Sequence, residues 1–540
     1  MNFLYSLTVA FFLTIAIIPL ISRFAPRLGL VDEPVGGRKL HKLPIPRTGG
    51  LGIILGSTIP LFFLLPYDSH LRSLIPSCAV IVLFGVLDDR YELSYQWKLF
   101  GQSLAAVIAM MGGIVLFELP FWGLGDAPVW FSYPLTFLFL VGVVNGVNFS
   151  DGLDGLAGGT SIMALLLLLI LALQIQDYPT AMIALAFVGG VLGFLRFNTY
   201  PARIYMGDAG SQLLGFLIAC LAIIVTQQEG SAYNKFLPVL LLGIPILDIL
   251  QVIPVRIHKK LPLPGPDNEH FHHQLIKVGF RHYEVVVVVY LLQALLMAMA
   301  YFSRYGSDLN VVLFYLAFVA TTCGLLLAAN YSGWQFRKRQ RQKGRNERRN
   351  RLLRKLSPLY PYLAKIVSAT IIVFMFTSIY IIGEFNRPLA KVALIIAIVL
   401  GFVSFLAGHR YKQLTRLSCG IASILIAYLL SQLNISMQQE ILVSGLLVFL
   451  ALFLVLSIRM TRKDDFTLDT QDLLLLLAVV FLPMLPFQTL DSYSVSRIAL
   501  TAFLLLYSVE FLINTGRGSV RAVNVASIAS LALIGVIGLA

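Results

Sequence analysis

Charge is scarce in this sequence. Of 540 residues only 13% are Asp, Glu, Lys or Arg, against 58% hydrophobic, and the mean hydropathy of +0.83 lies far from that of an aqueous globular chain. The shortage excludes a sizeable water-soluble domain and makes nucleic acid a poor candidate partner. Cysteine is nearly absent too: Cys78, Cys220, Cys323 and Cys419 are scattered through apolar runs with no CxxC spacing. Neither a disulfide framework nor a thiolate metal site is indicated. The N-terminus lacks a basic region before its first apolar run and an A-x-A site after it, so residues 3–21 read as a retained span rather than a cleaved signal.

Long apolar runs are what the sequence has in abundance. A spanning helix needs roughly 20 apolar residues, and only helices satisfy the backbone within so many consecutive runs. Counting runs gives about 18 candidate spans, centred near residues 12, 58, 80, 108, 140, 167, 188, 218, 246, 294, 320, 371, 398, 425, 449, 479, 504 and 532. The expected fold class is therefore an all-α integral membrane protein, a polytopic helical bundle.

The net charge of +14, from 41 basic and 27 acidic residues, is first a topology signal. Arg23, Arg27, Arg38, Lys39, Lys42 and Arg47 follow the first run, which places that loop in the cytoplasm and the N-terminus outside. Every second later loop is basic, whereas those near Pro120, Asp177, Glu229, Asp308, Asn386 and Asp491 carry few positive charges. Residues 335–357 hold eleven Lys/Arg against the single Glu347 and read as a cytoplasmic connector, with attraction to anionic headgroups as the functional alternative. It separates residues 1–334, with about 11 spans, from residues 358–540, with about 7. Only the first part has inner loops rich in Asp, Asn, His, Gly and Pro.

Those inner loops carry the chemistry. Lys39, His41 and Arg47 precede Gly49-Gly50, where cations beside a close-approaching backbone suit phosphate; a topology-setting loop is the plainer reading. Asp88 and Asp89 end a helical run and need a cation or hydrogen-bonding partner near lipid, with Lys98 following. The segment Asn145, Asn148, Asp151, Asp154 is interrupted by Gly152, Gly155, Gly158 and Gly159, so the helix should break there and let carboxylates converge. Asn198 leads to Gly207-Asp208-Ala209-Gly210, in which Asp208 is either a helix cap or a Mg²⁺ ligand shared with substrate phosphates. Asp248 and Arg256 lie near the end of the ninth run, before His270, His272 and His273. Zinc is disfavoured by the missing HExxH and the lack of a fourth ligand at familiar spacing; imidazoles donating to phosphate fit better.

The motifs RKLHKLPIPRTGG, GVLDDRYELSYQWKLFGQ, NGVNFSDGLDGLAGG, FNTYPARIYMGDAGS and PDNEHFHHQL, in this order over roughly residues 1–330, resemble those of the polyprenyl-phosphate N-acetylhexosamine-1-phosphate transferases (WecA/MraY-like, glycosyltransferase family 4). The resemblance implies transfer of a sugar-1-phosphate, most simply N-acetylglucosamine-1-phosphate, from a UDP-sugar to undecaprenyl or another polyprenyl phosphate, with release of UMP and initiation of a lipid-linked glycan. It implies Mg²⁺, or Mn²⁺ in its place, held by Asp208 with Asp151. Catalytic roles fall to Asp88, Asp89, Lys98, Asp151, Asp154, His270, His272 and His273; substrate contacts fall to Lys39, His41, Arg47, Asn145, Asn148, Asn198 and Arg256. The implied setting is the plasma membrane with the site on its cytoplasmic face, and the implied partners are downstream glycosyltransferases and a second copy of the chain. The phospho-N-acetylmuramoyl-pentapeptide branch is the runner-up, although its three consecutive histidines differ from H-x-H-H here. A secondary transporter is the rival of another class, opposed by polar groups at helix ends rather than mid-span. The seven later spans depart from the family pattern and carry no recognised motif.

Overall fold

A computed structural model describes residues 2–33, 44–64, 69–119, 127–228, 231–258, 260, 270–335, 360–383, 387–406, 411–431, 436–460, 492–515 and 520–539. By packing, the chain divides into one unit over Met1–Arg337 and a second over Lys338–Leu468 and Asp472–Ala540.

The first unit runs α1 (Asn2–Leu28), β1 (Val31–Asp32), β2 (Ile45–Pro46), α2 (Gly49–Leu64), α3 (Ser69–Tyr91), α4 (Tyr95–Met111), α5 (Val129–Ser150), α6 (Leu156–Gln174) and α7 (Tyr178–Asn198). It continues with α8 (Gly207–Gln227), α9 (Leu237–Leu241), α10 (Gly243–His258), α11 (Phe271–Lys277), α12 (His282–Phe302) and α13 (Asp308–Tyr331). The second holds α14 (Tyr360–Ile382), α15 (Arg387–Leu406), α16 (Tyr411–Ser431), α17 (Met437–Met460), α18 (Ser492–Thr515) and α19 (Val520–Leu539).

The helical membrane bundle is as the composition requires, but the span count is lower than expected. Among the described residues ten helices are long and apolar enough to cross a bilayer, not about 18. Hydrophobicity alone misjudges length: α2 and α10 have 16 residues and α4 has 17. At 1.5 Å per residue these reach only about 24–26 Å, short of a hydrocarbon core of roughly 30 Å. The run centred near residue 479 lies outside the described residues. One two-residue ribbon accompanies the all-α bundle: β1 and β2 pair antiparallel with Val31 opposite Pro46 and Asp32 opposite Ile45.

The centre of the first unit is α8, whose apolar window is 94% buried. It packs against α2, α3, α5 and α6, while α1 and α6 flank α7. Lipid offers apolar helices no hydrophobic gain from associating, so close approach and polar pairing must hold them. Both occur around α8. A Cβ on Gly50 would stand 2.4 Å from the Gly210 nitrogen, and one on Gly85 2.4 Å from the Ala209 Cα. Gln102 donates to Gln212 Oε1 at 3.2 Å and accepts from Asn145 Nδ2 at 2.8 Å, tying α4, α5 and α8. The second unit has its own core around Val367, Ile371, Phe374, Ile426, Phe511 and Leu531. Its polar link is Ser418 to Asn524 Oδ1 at 2.7 Å and Asn524 Nδ2 to Ser404 at 3.1 Å.

Candidate active site

Polar side chains gather at one end of the first unit, where α3, α5 and α7 finish and α2, α4 and α8 begin. The turn into α8 depends on Gly207, whose φ of +76° suits glycine, and a Cβ there would lie 2.6 Å from Asp89 Oδ2. Asp89 takes the N–H groups of Asp208 at 2.8 Å and Ala209 at 3.1 Å, one on each oxygen. It thus satisfies two of the orphan donors at the start of α8 and sets a negative charge against the positive end of its dipole. The capping role open to Asp208 in the sequence is filled by Asp89 instead. The Asp208 carboxylate points away from its own helix and accepts from Asn148 Nδ2 at 2.6 Å and Lys98 Nζ at 3.4 Å. Lys98 also stands 2.6 Å from Asp88 Oδ2 as an ion pair. Asp88 is 2% exposed, and Lys98 bridges it to Asp208.

Between α5 and α6 the chain leaves the helix over 151–155, as its glycines anticipate. Asp154 Oδ2 accepts the Ala202 N–H at 2.9 Å, while its own N–H donates to His282 Nε2 at 3.1 Å. Asn198 accepts the Gly155 N–H at 2.9 Å and donates to the Ile204 carbonyl at 2.9 Å. Tyr290 donates to the Gly155 carbonyl at 2.6 Å. Asp154 and Asn198 therefore fasten the loop to its neighbours. Asp151 is different: its N–H donates to the Asn148 carbonyl at 3.1 Å, but no hydrogen bond or ion pair joins its carboxylate to the described residues. Burial, then the nearby charges of Asp208, Asp89 and Asp154, push its carboxyl well above the ordinary range.

The β1–β2 ribbon forms the facing wall. Arg47 is ion-paired and hydrogen-bonded to Asp32. Burial alone would lower the Arg47 pKa, but the Asp32 hydrogen bond and charge, with Asp89 and Asp208 beyond, raise it. Tyr205 joins by main chain, its N–H donating to the Pro46 carbonyl at 2.8 Å and its carbonyl accepting from Gly49 at 2.9 Å. Burial and then the charges of Asp154, Asp32 and Asp151 push its phenol up to about 12. Together these groups line a cleft of about 380 Å³ with Asp89, Asn148, Asp151, Gly152, Leu153, Asp154, Asn198, Gly207 and Asp208.

The histidines are assembled beside this lining. A Cβ on Gly152 would lie 2.4 Å from His272 Nε2, so that glycine lets the imidazole approach the loop. His272 is 3% exposed, and burial, followed by the charge of His273, lowers its pKa to about 3. The His272 and His273 rings are 4.2 Å apart, and His270 lies 5.9 Å from His272 with nearly parallel planes. Arg256 is buried on α10, and Asn145 spends itself on Gln102 and the Val141 carbonyl; neither lines the cleft. Lys39 and His41 lie outside the described residues.

Asp32 and Tyr205 were not among the residues expected from sequence. Tyr205 sits three positions before Asp208 within a motif already singled out, whereas Asp32 shows itself only when the ribbon brings it to Arg47. Among the described residues no three His, Cys, Asp or Glu side chains converge as a closed metal site. The donor set nonetheless suits Mg²⁺, which binds through one or two carboxylates and completes its shell with water and phosphate oxygens. Asp151, crowded by like charges and with no cationic partner among the described residues, offers one such carboxylate.

The glycosyl transferase family 4 profile matches residues 71–226, the stretch running from Asp88 through Asp208. The probable undecaprenyl-phosphate N-acetylglucosaminyl 1-phosphate transferase of Bacillus subtilis is 35% identical over 284 residues, 52% of this chain and 79% of that protein. The chain belongs to the polyprenyl-phosphate N-acetylhexosamine-1-phosphate transferases. Other members resemble it as well: the decaprenyl-phosphate N-acetylglucosaminephosphotransferase of Mycobacterium tuberculosis is 32% identical over 49% of this chain and 74% of its own. The undecaprenyl-phosphate alpha-N-acetylglucosaminyl 1-phosphate transferase of Escherichia coli K12 is 27% identical over 55% and 83%. Membership makes the chain an enzyme of transferase type.

Proposed function

We propose that this transferase moves N-acetylglucosamine-1-phosphate, or a closely related N-acetylhexosamine-1-phosphate, from its UDP conjugate to undecaprenyl or a similar polyprenyl phosphate. The observation that carries the reading is the bridge of Lys98 between Asp88 and Asp208, the second of which lines the carboxylate-rich cleft. A lipid phosphate oxygen attacks the sugar-bearing phosphorus; the bond to the UMP oxygen breaks and UMP leaves with the electron pair. Attack brings anions together, so positioning and charge neutralisation dominate the barrier. Mg²⁺, held by Asp208 and Asp151, supplies neutralisation of the pyrophosphate when bound.

The remaining work falls to the chain itself. Lys98 is 36% exposed and offers its ammonium to a phosphate oxygen, exchanging a carboxylate partner for the substrate. Asp88 holds that ammonium at the helix end. Asp89 fixes the first turn of α8 and with it Asp208; Asn148 orients the Asp208 carboxylate. Arg47, kept charged by Asp32, and the histidine segment supply further phosphate contacts. The reading places the cleft on the cytoplasmic face of the plasma membrane, where UDP-sugars are available and the basic loops belong. The test is UMP release by the purified full-length chain with undecaprenyl phosphate and a panel of UDP-N-acetylhexosamines, with and without exhaustive chelation. UDP-N-acetylglucosamine should be turned over only with a divalent cation. Activity confined to UDP-N-acetylmuramoyl-pentapeptide would transfer the chain to the other branch, and turnover in full chelation would remove the metal.

A further inference from the structure

Asp248 is a carboxylate within α10, 3% exposed and flanked by Leu247 and Ile249, where an unsatisfied charge would be costly. Both of its oxygens are engaged by one segment. Oδ2 is 2.7 Å from His270 Nδ1, and Oδ1 accepts the Phe271 N–H at 2.6 Å. The segment that starts α11 is thereby fastened to α10 at two adjacent points, 22 residues along the chain. Phe149, at the end of α5, lies against the same imidazole with ring centroids 5.1 Å apart. A carboxylate on one side and an aromatic ring on the other leave the imidazole little rotational freedom. Its other nitrogen, Nε2, hydrogen-bonds to none of the described residues, and the side chain keeps 11% of its exposure.

We propose that Asp248 is a positioning residue for the transfer reaction, fixing His270 with the proton on Nδ1 so that Nε2 is the ring atom presented to a substrate phosphate. The inference rests on the transferase reading of the histidine segment. A carboxylate accepts hydrogen bonds and cannot donate them, so its partner nitrogen must carry the proton, and the tautomer is set by the hydrogen bond the ring makes at its other end. To donate to a phosphate oxygen Nε2 takes up a proton, from water or from a monoprotonated phosphate, and the imidazolium so formed keeps its Nδ1–H on Asp248, which supplies the counter-charge. His272 has no comparable anchor: its Nε2 is buried without a partner. The fold thus holds His270 in one orientation by a hydrogen-bonded anchor that His272 lacks.

The test uses the full-length protein in nanodiscs with Asp248→Asn, His270→Ala and the double variant. UMP release is measured with UDP-N-acetylglucosamine and undecaprenyl phosphate, and ¹⁵N spectra are recorded on histidine-labelled protein. Asp248→Asn should lower kcat on the order of 10- to 100-fold, change the KM for UDP-N-acetylglucosamine little, and shift the His270 resonances from the Nδ1–H to the Nε2–H tautomer. The double variant should be no slower than His270→Ala, because the two residues act as a unit. Asp248→Glu is the second variant, recoverable even if Asn disturbs the fold. It should keep the Nδ1–H signal while the displaced ring loses turnover. An unchanged tautomer in Asp248→Asn, or losses that multiply in the double variant, would overturn the proposal. Absence of UMP release from the wild-type protein would instead overturn the transferase reading, with the tautomer spectra still deciding whether Asp248 positions the ring.

Discussion

Neighbouring carboxylates at the end of α3 turn to different partners: Asp88 meets the ammonium of Lys98, and Asp89 receives the amides that open α8. The second is architectural in its contacts, and it holds Asp208 where Asn148 and Lys98 can reach it. Asp208→Asn preserves this shape and removes the charge, so turnover should fall about 100-fold or more in a variant that remains monodisperse by size exclusion. Wild-type turnover would leave Asp208 without a part in the chemistry. His272 offers a separate test through stability. Its pKa is about 3 in the fold against an ordinary 6.5, so between those values the unfolded chain takes up a proton that the folded chain refuses. Stability is fully present above pH 6.5 and falls as the pH is lowered toward 3, by about 1.4 kcal/mol per pH unit for this one group. His272→Gln should flatten the decline in Tm between pH 7 and pH 5 relative to wild type; equal slopes in thermal-shift measurements would contradict it.

Among the elements, α8 decides where the cleft lies, and its N-terminal turn touches α2 and α3 through main chain. Gly50→Ala places a methyl within 2.4 Å of the Gly210 nitrogen, which is backbone and cannot swing aside. Separating α2 from α8 should cost about 1–3 kcal/mol and lower turnover with it, as thermal-shift and UMP-release measurements on one sample would show. Much of this arrangement is legible in the sequence. The glycines after Asp151 announce the helix break, and the motif residues Asp88, Lys98, Asn148 and Asp208 do meet. What sequence conceals is pairing across long separations. Asp89 finds the α8 amides 119 and 120 residues away, and no local pattern distinguishes it from Asp88. Asp32 belongs to a ribbon of two residues per strand, too short for any periodicity. Asn145 looks like part of the polar cluster by spacing, yet it faces Gln102 because the helix continues unbroken to Ser150.

At the scale of the molecule, every described residue of the candidate site belongs to the first unit, and the second unit has a core of its own. A chain ending at Trp334 should therefore fold in nanodiscs and retain UMP release within about 3-fold of the full chain, a difference under roughly 1 kcal/mol. A monodisperse but inactive truncated protein would mean that residues beyond 357 take part in substrate binding or chemistry. The backbone contacts among Gly50, Gly85 and the first turn of α8 bear on which membranes the protein can inhabit. Bilayers differ in thickness, and spanning helices adapt by tilting or by changing the side chains at their ends. Where neighbouring helices touch main chain to main chain, tilting pivots about that junction rather than prising it open. The spacing of the carboxylates should then be indifferent to acyl-chain length, leaving the lipid-facing surface free to be retuned for a different host membrane without disturbing the chemistry.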